Sequence, residues 1–285
     1  MRRPVPALPE IEIIRRDLEK EVVGRRIRDV EVRPGSNAMK IVKRHGRRKD
    51  FQELLKGARI EAIDRVGRRI LAHLDNGRVL VFDMGESAQL RKTSTSDGLA
   101  SHTHLVFGFT IGGQLRMVDP KLTSEVFVVE RKELAGGDEV GAFSLDPLEA
   151  ALTWQRFSSL LEQRQEAMRP LLLDEGFIVG LGDIYADEIL FGAGIRFDRR
   201  SDALSSQDVR RLYRSLMETL QAAVKARGTS WGDIEFTDLQ GNPGQYQLDL
   251  KVYERDGEPC RRCRHEIVKA SVDGRVTYFC PQCQS

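Results

Sequence analysis

Cysteine is absent from the first 259 of the 285 residues, and no apolar run approaches the roughly 20 residues that a membrane span needs. The first absence leaves most of the chain without any disulfide framework. The second excludes a helical membrane span. Excess charge of one sign is also missing: 45 Lys and Arg against 43 Asp and Glu leave a formal net charge of +2, so charge alone does not mark a nucleic-acid binder. No internal repeat or low-complexity segment interrupts the globular composition. Met1-Arg2-Arg3-Pro4 leads into a charged helix rather than a secretory leader, which predicts a cytoplasmic protein, associated with the nucleoid if the source is bacterial. His73, His102, His104 and His265 show no paired-ligand or triad spacing and are read as structural.

What cysteine there is lies in the last 26 residues, as Cys260-x-x-Cys263, a gap of 16 residues, and Cys280-x-x-Cys283. Each Cys-x-x-Cys turn aims two thiolates at one tetrahedral ion, and the intervening loop is expected to return as a β-hairpin. Two disulfides are the alternative, disfavoured in a reducing compartment. Four sulfur ligands leave no position for water, so one structural zinc is expected and any chemistry lies elsewhere.

The 285 residues have room for two cores beside the metal-held module. Pro9 to Val22 predicts a helix, with Pro9 at a first helical position, Glu10 and Glu12 favoured by the macrodipole, and Ile11, Ile14, Leu18 and Val22 on one stripe. From about residue 58 the period falls to two. Strands are predicted over 58–66, 69–74, 79–84, 105–109, 115–118 and 125–129, with Asp75-Asn76-Gly77 and Gly112-Gly113 as hairpin turns. Glycine and acid over 135–139 suggest a linker, after which helices are expected over 147–161, 167–173, 184–191 and 206–227, the last capped by Ser205 or Ser206. The glycines of Gly176-Phe177-Ile178-Val179-Gly180-Leu181-Gly182-Asp183 permit a tight turn and close backbone approach to a partner.

Three segments carry a resemblance that spans nearly the whole chain. Leu8-Pro9-Glu10-Ile11-Glu12, the run from Leu172-Leu173-Asp174-Glu175 through Gly180-Leu181-Gly182-Asp183-Ile184-Tyr185-Ala186-Asp187-Glu188, and Leu250-Lys251-Val252-Tyr253 resemble the formamidopyrimidine-DNA glycosylase and endonuclease VIII family. The resemblance implies an α+β fold: an N-terminal β-sandwich over 1–134, a linker over 135–146, a helix-two-turn-helix domain over 147–242 and a zinc finger over 243–285. It also implies a monomer bound to damaged double-stranded DNA. The implied chemistry is base flipping followed by attack of an N-terminal proline amine on the sugar, giving a Schiff base and strand cleavage.

At the implied site this sequence departs from the family. Pro6 stands at the nucleophile's position with its nitrogen in an amide with Val5, and the acid that should follow it is Ala7. An acylated nitrogen forms no imine, and removal of Met1 would not free it. Glu10 keeps a family position but also suits the first turn of a helix. The family's catalytic lysine is replaced by Arg68, which keeps a phosphate contact and is a poor proton shuttle. The loops that fill the space of a flipped base read Met84-Gly85-Glu86-Ser87-Ala88 and Asp119-Pro120-Lys121-Leu122-Thr123-Ser124, so an acid, Glu86, replaces an apolar wedge and Lys121 keeps a charge. A family histidine becomes Asp83 and the helix-two-turn-helix asparagine becomes Asp183, each setting an anion where a phosphate is implied. Arg275 matches the zinc-finger arginine that grips DNA, and Tyr253 belongs to the implied DNA-binding set.

The leading expectation is a DNA-binding member of this family that recognises damaged or distorted sites without the proline chemistry. A second keeps a glycosylase for an unusual lesion, with Glu10 activating water and Arg68 stabilising charge. A third is an RNA- or protein-binding module whose acids at 83, 86 and 183 meet a basic partner. The run Lys40, Lys43, Arg44, His45, Arg47, Arg48, Lys49 is read as solvated surface or a further nucleic-acid contact.

Overall fold

The computed structural model describes residues 6–33, 37–134, 145–149, 152–230 and 236–285. The expected linker therefore lies almost wholly outside the described residues, as does Val5. Two compact units are built from non-contiguous stretches: a sheet unit, Glu10–Ala142 with Arg227–Gly244, and a helical unit, Met1–Pro9 with Phe143–Ala226 and Gln245–Ser285.

Among the described residues of the sheet unit, eight strands form two antiparallel sheets. β1 (Ile27–Val32), β6 (Thr103–Phe109), β7 (Gln114–Val118) and β5 (Gln89–Thr93) make one, in the order β1-β6-β7-β5. β2 (Ile60–Val66), β3 (Arg69–Leu74), β4 (Arg78–Asp83) and β8 (Glu125–Glu130) make the other, in chain order. The helices are α1 (Leu8–Val22), α2 (Ala38–Ile41), α3 (Arg48–Leu55) and α4 (Arg131–Leu134). The inner faces bury Phe82 and Phe107 edge to face at 5.7 Å, and each such ring contributes about 1.5–3 kcal/mol on burial.

Strand β1 was not among the expected strands, because a bulge between Ile27 and Asp29 breaks its alternation. Nor was β5, an edge strand in which Leu90 alone is buried. Gly77, Gly112 and Gly113 take φ of +80°, +93° and +88°, the left-handed backbone that tight hairpins require.

The helical unit contains α5 (Trp154–Leu161), α6 (Met168–Leu173), α7 (Gly182–Ala193) and α8 (Ser206–Lys225), followed by the hairpin of β9 (Val268–Val272) and β10 (Arg275–Phe279). Ser205, one of the two caps expected, caps α8 through a reciprocal box with Asp208 in the third helical position. Helix α5 is shorter than the expected 147–161: the backbone of 147–149 turns before Thr153 caps the helix. Among the described residues no helix is long and apolar enough to cross a membrane.

Candidate nucleic-acid interface and metal centre

The four thiols converge. All four sulfurs lie within 4.8 Å of one another, with Cys260 to Cys283 at 3.9 Å and Cys263 to Cys280 at 3.4 Å. A tetrahedral zinc with Zn–S bonds of about 2.3 Å sets its sulfurs about 3.8 Å apart, so the donor set fits one structural zinc. Disulfide sulfurs would sit about 2.05 Å apart, and all four cysteines are free. Phe191, Val252 and Ile267 pack around Cys260 and Cys280, and the side-chain amide of Gln284 joins Ile195 O to the Cys280 N–H. The centre fastens the hairpin to helix α7 and the turn that follows it.

That fastening positions Arg275. The β9–β10 turn uses Asp273 and Gly274 at φ +49° and +73°, placing Arg275 at the start of β10 with its side chain 53% exposed. Its guanidinium is 3.7 Å from Asp183, in the first turn of α7. Asp183 in turn accepts from Arg169 at 2.8 Å. The same guanidinium donates to Asp187 and to Val276 O, each at 2.8 Å, while Thr277 Oγ1 and Tyr278 N donate to Asp187 at 2.7 and 2.9 Å. Arg169 and Asp187 are both 1% exposed. One buried cation therefore joins α6, α7 and the hairpin, and it compensates the charge of Asp183.

Burial pushes the Asp187 carboxyl up to about 6, against the opposing pull of Arg169, Thr277 and the Tyr278 N–H. Removing the cation should expose this cost. Arg169→Met leaves a buried carboxylate with neutral donors alone, and it is expected to destabilise the fold by about 3–5 kcal/mol. A carboxyl whose folded pKa lies above its unfolded one stabilises the fold only while protonated. Without Arg169 the folded carboxyl pKa rises further above about 6, so urea unfolding should show the largest deficit at alkaline pH and a smaller one as pH falls toward about 6.

Tyr253 is set by a second buried acid. Glu188 receives the N–H groups of Lys251, Val252 and Tyr253 at 2.8–3.0 Å, and burial raises its pKa against these three donors. Tyr253 is half-buried, edge-on to Tyr278 with centroids 5.2 Å apart, and burial raises its hydroxyl pKa. Reasoning from sequence quoted Asp187 and Glu188 only as part of a motif, and it missed Arg169. The available signal was a lone arginine in the otherwise apolar Met168–Leu173, beside acids at 183 and 187, one turn apart on α7.

At the other end of the chain, Pro6 and Ala7 are half-buried and precede Leu8, whose N–H donates to Gly180 O at 2.7 Å. Gly180 and Gly182 take φ of +66° and +67°, so the glycine-rich turn that opens α7 also holds the chain just after Pro6.

The sheet unit carries the remaining predicted residues. Glu10 is 3% exposed and its Oε1 accepts the Thr229 N–H at 2.8 Å. A Cβ on Gly228 would come within 3.0 Å of that carboxylate, so the approach requires glycine. Glu12 is occupied by Arg15, Arg16 and Arg65; burial raises its pKa, but the three guanidinium groups hold it below the usual range. Arg68 lies half-buried in the two-residue turn between β2 and β3.

Lys121 and Glu86 pair at 3.2 Å, joining the two loops that the sequence presents separately. Those loops are clamped. Glu86 N donates to Thr123 Oγ1 at 2.8 Å, Gly85 N to Ser124 Oγ at 3.0 Å, and Ser87 Oγ to the buried Asp119 at 2.5 Å. A Cβ on Gly85 would fall 2.3 Å from Thr123. Asp83 pairs with Arg69 at 2.9 Å. Each acid at 83, 86 and 183 thus has a basic partner within its own unit.

The basic run is partly neutralised. Lys43 and Arg44 reach Glu125, Arg44 lies 3.6 Å above the Phe127 ring, and Arg47 pairs with Asp50. His45 accepts the Val128 N–H at 3.1 Å, and burial lowers its pKa.

Comparison with known proteins finds the same three parts elsewhere. Residues 5–126 match the formamidopyrimidine-DNA glycosylase N-terminal domain, 143–234 its H2TH domain, and 257–285 the zinc finger found in FPG and IleRS. The formamidopyrimidine-DNA glycosylases of Heliobacterium modesticaldum and Pelotomaculum thermopropionicum are 36% and 35% identical, over 98% of this chain and 100% and 99% of theirs. The Lactococcus lactis Fpg, solved in complex with DNA containing an abasic site, superimposes with a TM-score of 0.86 at 28% identity, covering 98% of this chain and 99% of that one. With all three parts matched in order and relatives this similar over their full length, the chain belongs to the formamidopyrimidine-DNA glycosylase family.

Proposed function

We propose that the chain binds damaged or distorted duplex DNA, within base excision repair, and lacks the proline-based glycosylase and strand-cleaving reaction. The observation that carries this reading is covalent: the Pro6 nitrogen is an amide, and Ala7 supplies no acid to protonate a leaving base or ring oxygen. The binding half rests on the Lactococcus Fpg complexes with DNA carrying an abasic site or Fapy-dG, and on the preserved hairpin arginine. Incision assays paired with binding on one panel of modified duplexes test both halves. Tight, lesion-dependent binding without incision supports the proposal; incision of any panel member overturns it.

The water-based glycosylase is less well supported. Its base would be Glu10, a buried carboxylate that already holds a backbone N–H.

Arg275 provides a separate check on the binding surface. If its half-exposed guanidinium sits on a phosphate, Arg275→Ala weakens binding to all duplexes alike and lowers the salt slope by about one unit. An unchanged slope would move the duplex to another surface, with the basic run at 40–49 the next to test.

A further inference from the structure

Helix α8 offers a second surface in the helical unit. Arg210, Tyr213, Arg214, Met217 and Glu218 recur at three- and four-residue intervals, and with Trp154 of α5 they line a shallow, mainly apolar slot of about 460 Å³, open to solvent. Its walls are fixed. Trp154 packs edge-on against Tyr213 at 6.0 Å, the Tyr213 hydroxyl donates to Leu152 O at 3.1 Å, and the Arg210 guanidinium lies 5.9 Å from the Trp154 ring centre.

Next to the slot lies a cleft of about 520 Å³, where Arg211, Arg214, Lys251, Arg261 and Arg262 face two carboxylates, Glu218 and Asp249. Arg214 and Glu218 line both cavities, so the two adjoin along this stretch of α8 and are treated together as one groove. Three of the cations are already used: Arg211 and Arg262 donate to Ala193 O and Phe191 O at the C-terminal end of α7, and Arg261 to Leu248 O. Arg214 and Lys251 are exposed and make no ion pair among the described residues. Gly192 borders the cleft, and Asp183 lies nine residues earlier on the same helix, about 13 Å along its axis. The groove is therefore distinct from the Arg275–Asp183 contact.

We propose that this groove docks an acidic peptide segment of a partner protein. A large apolar side chain fills the Trp154–Tyr213–Met217 slot while carboxylates meet Arg214 and Lys251. Glu218 and Asp249 favour a peptide over a nucleic-acid strand. A peptide can set backbone N–H donors at these acids and confine its carboxylates to the cations, whereas a phosphodiester strand carries a charge at every unit.

The test uses the full zinc-loaded chain and a fluorescein-labelled peptide with four aspartates beside a leucine and a phenylalanine. Fluorescence anisotropy should show saturable binding, lost when the aspartates become asparagines and lost again when the two apolar residues become serines. Arg214→Glu should weaken it by about tenfold or more, and Trp154→Ser comparably. Arg214 is exposed, so its variant keeps the test decisive if Trp154→Ser fails to fold. Duplex binding should stay the same in Arg214→Glu, which separates this proposal from the one above. No saturable binding, equal binding of the control peptides, or displacement by inorganic phosphate would overturn it. So would a single-stranded oligonucleotide that binds more tightly than the peptide and carries the Arg214→Glu effect, since the occupant would then be a nucleic acid.

Discussion

Borohydride traps no covalent adduct between the native chain and abasic duplex, whereas a chain that begins at Pro6 and carries Ala7→Glu yields one. Trapping requires a nitrogen lone pair that can attack the sugar carbon and form an iminium for hydride to reduce. In the native chain that lone pair is delocalised into the amide with Val5. Removing residues 1–5 makes Pro6 a secondary amine, and Ala7→Glu restores a carboxyl beside it. Tolerance of the truncation depends on what anchors the chain after the cut, not on the length removed. Leu8 is fully buried and its N–H is held by Gly180 O at 2.7 Å, so the start of α1 keeps its place. Adduct formation is read on a denaturing gel and mapped by peptide mass. Robust trapping by the native protein through its N-terminal peptide would defeat the proposed loss of catalysis. Failure of the redesigned chain would place further blocks at Arg68 and at the ion pairs of Asp83 and Asp183.

Removal of the metal should have the larger effect on the fold. Structural zinc sites contribute apparent binding free energies of about 10–16 kcal/mol, comparable with the entire stability of a domain, about 5–15 kcal/mol. Cys263→Ala or strong chelation should therefore release the hairpin. The consequence reaches beyond Arg275, because Val276 O, Thr277 and Tyr278 N are partners of the buried Arg169 and Asp187. Losing the hairpin strands that pair, which carries its own cost. Hydrogen exchange should show residues 268–279 deprotected and duplex affinity reduced to background, with one zinc per chain before treatment and none after. Stoichiometric disulfides under reducing conditions, or unchanged hairpin protection after chelation, would refute the assignment.

The parts legible in the sequence are those whose physics is local. Two Cys-x-x-Cys turns 16 residues apart define a tetrahedral donor set, alternation marks six of the eight described strands of the sheet unit, and a serine at 205 or 206 announces α8. The departure from the family pattern at Pro6 and Ala7 is also local, being a matter of covalent neighbours. Alternation failed at β1, where a bulge inserts a residue out of phase, and at β5, where an edge position buries one side chain.

Charge compensation was settled by tertiary structure alone. The sequence presents Asp83, Glu86 and Asp183 as unopposed anions. Folding brings Arg69 to the first, Lys121 to the second, and Arg169 with Arg275 to the third. Arg169 reaches Val276 O across 107 positions, and Thr277 reaches Asp187 across 90. Local rules carry no information about such partners, because periodicity and propensity act over a few residues while electrostatic energy depends on distance in space. The sequence by itself thus determined the family, the metal ligands and the peptide bond between Val5 and Pro6. Which cation sits beside each acid was decided only when the chain brought distant side chains within 4 Å.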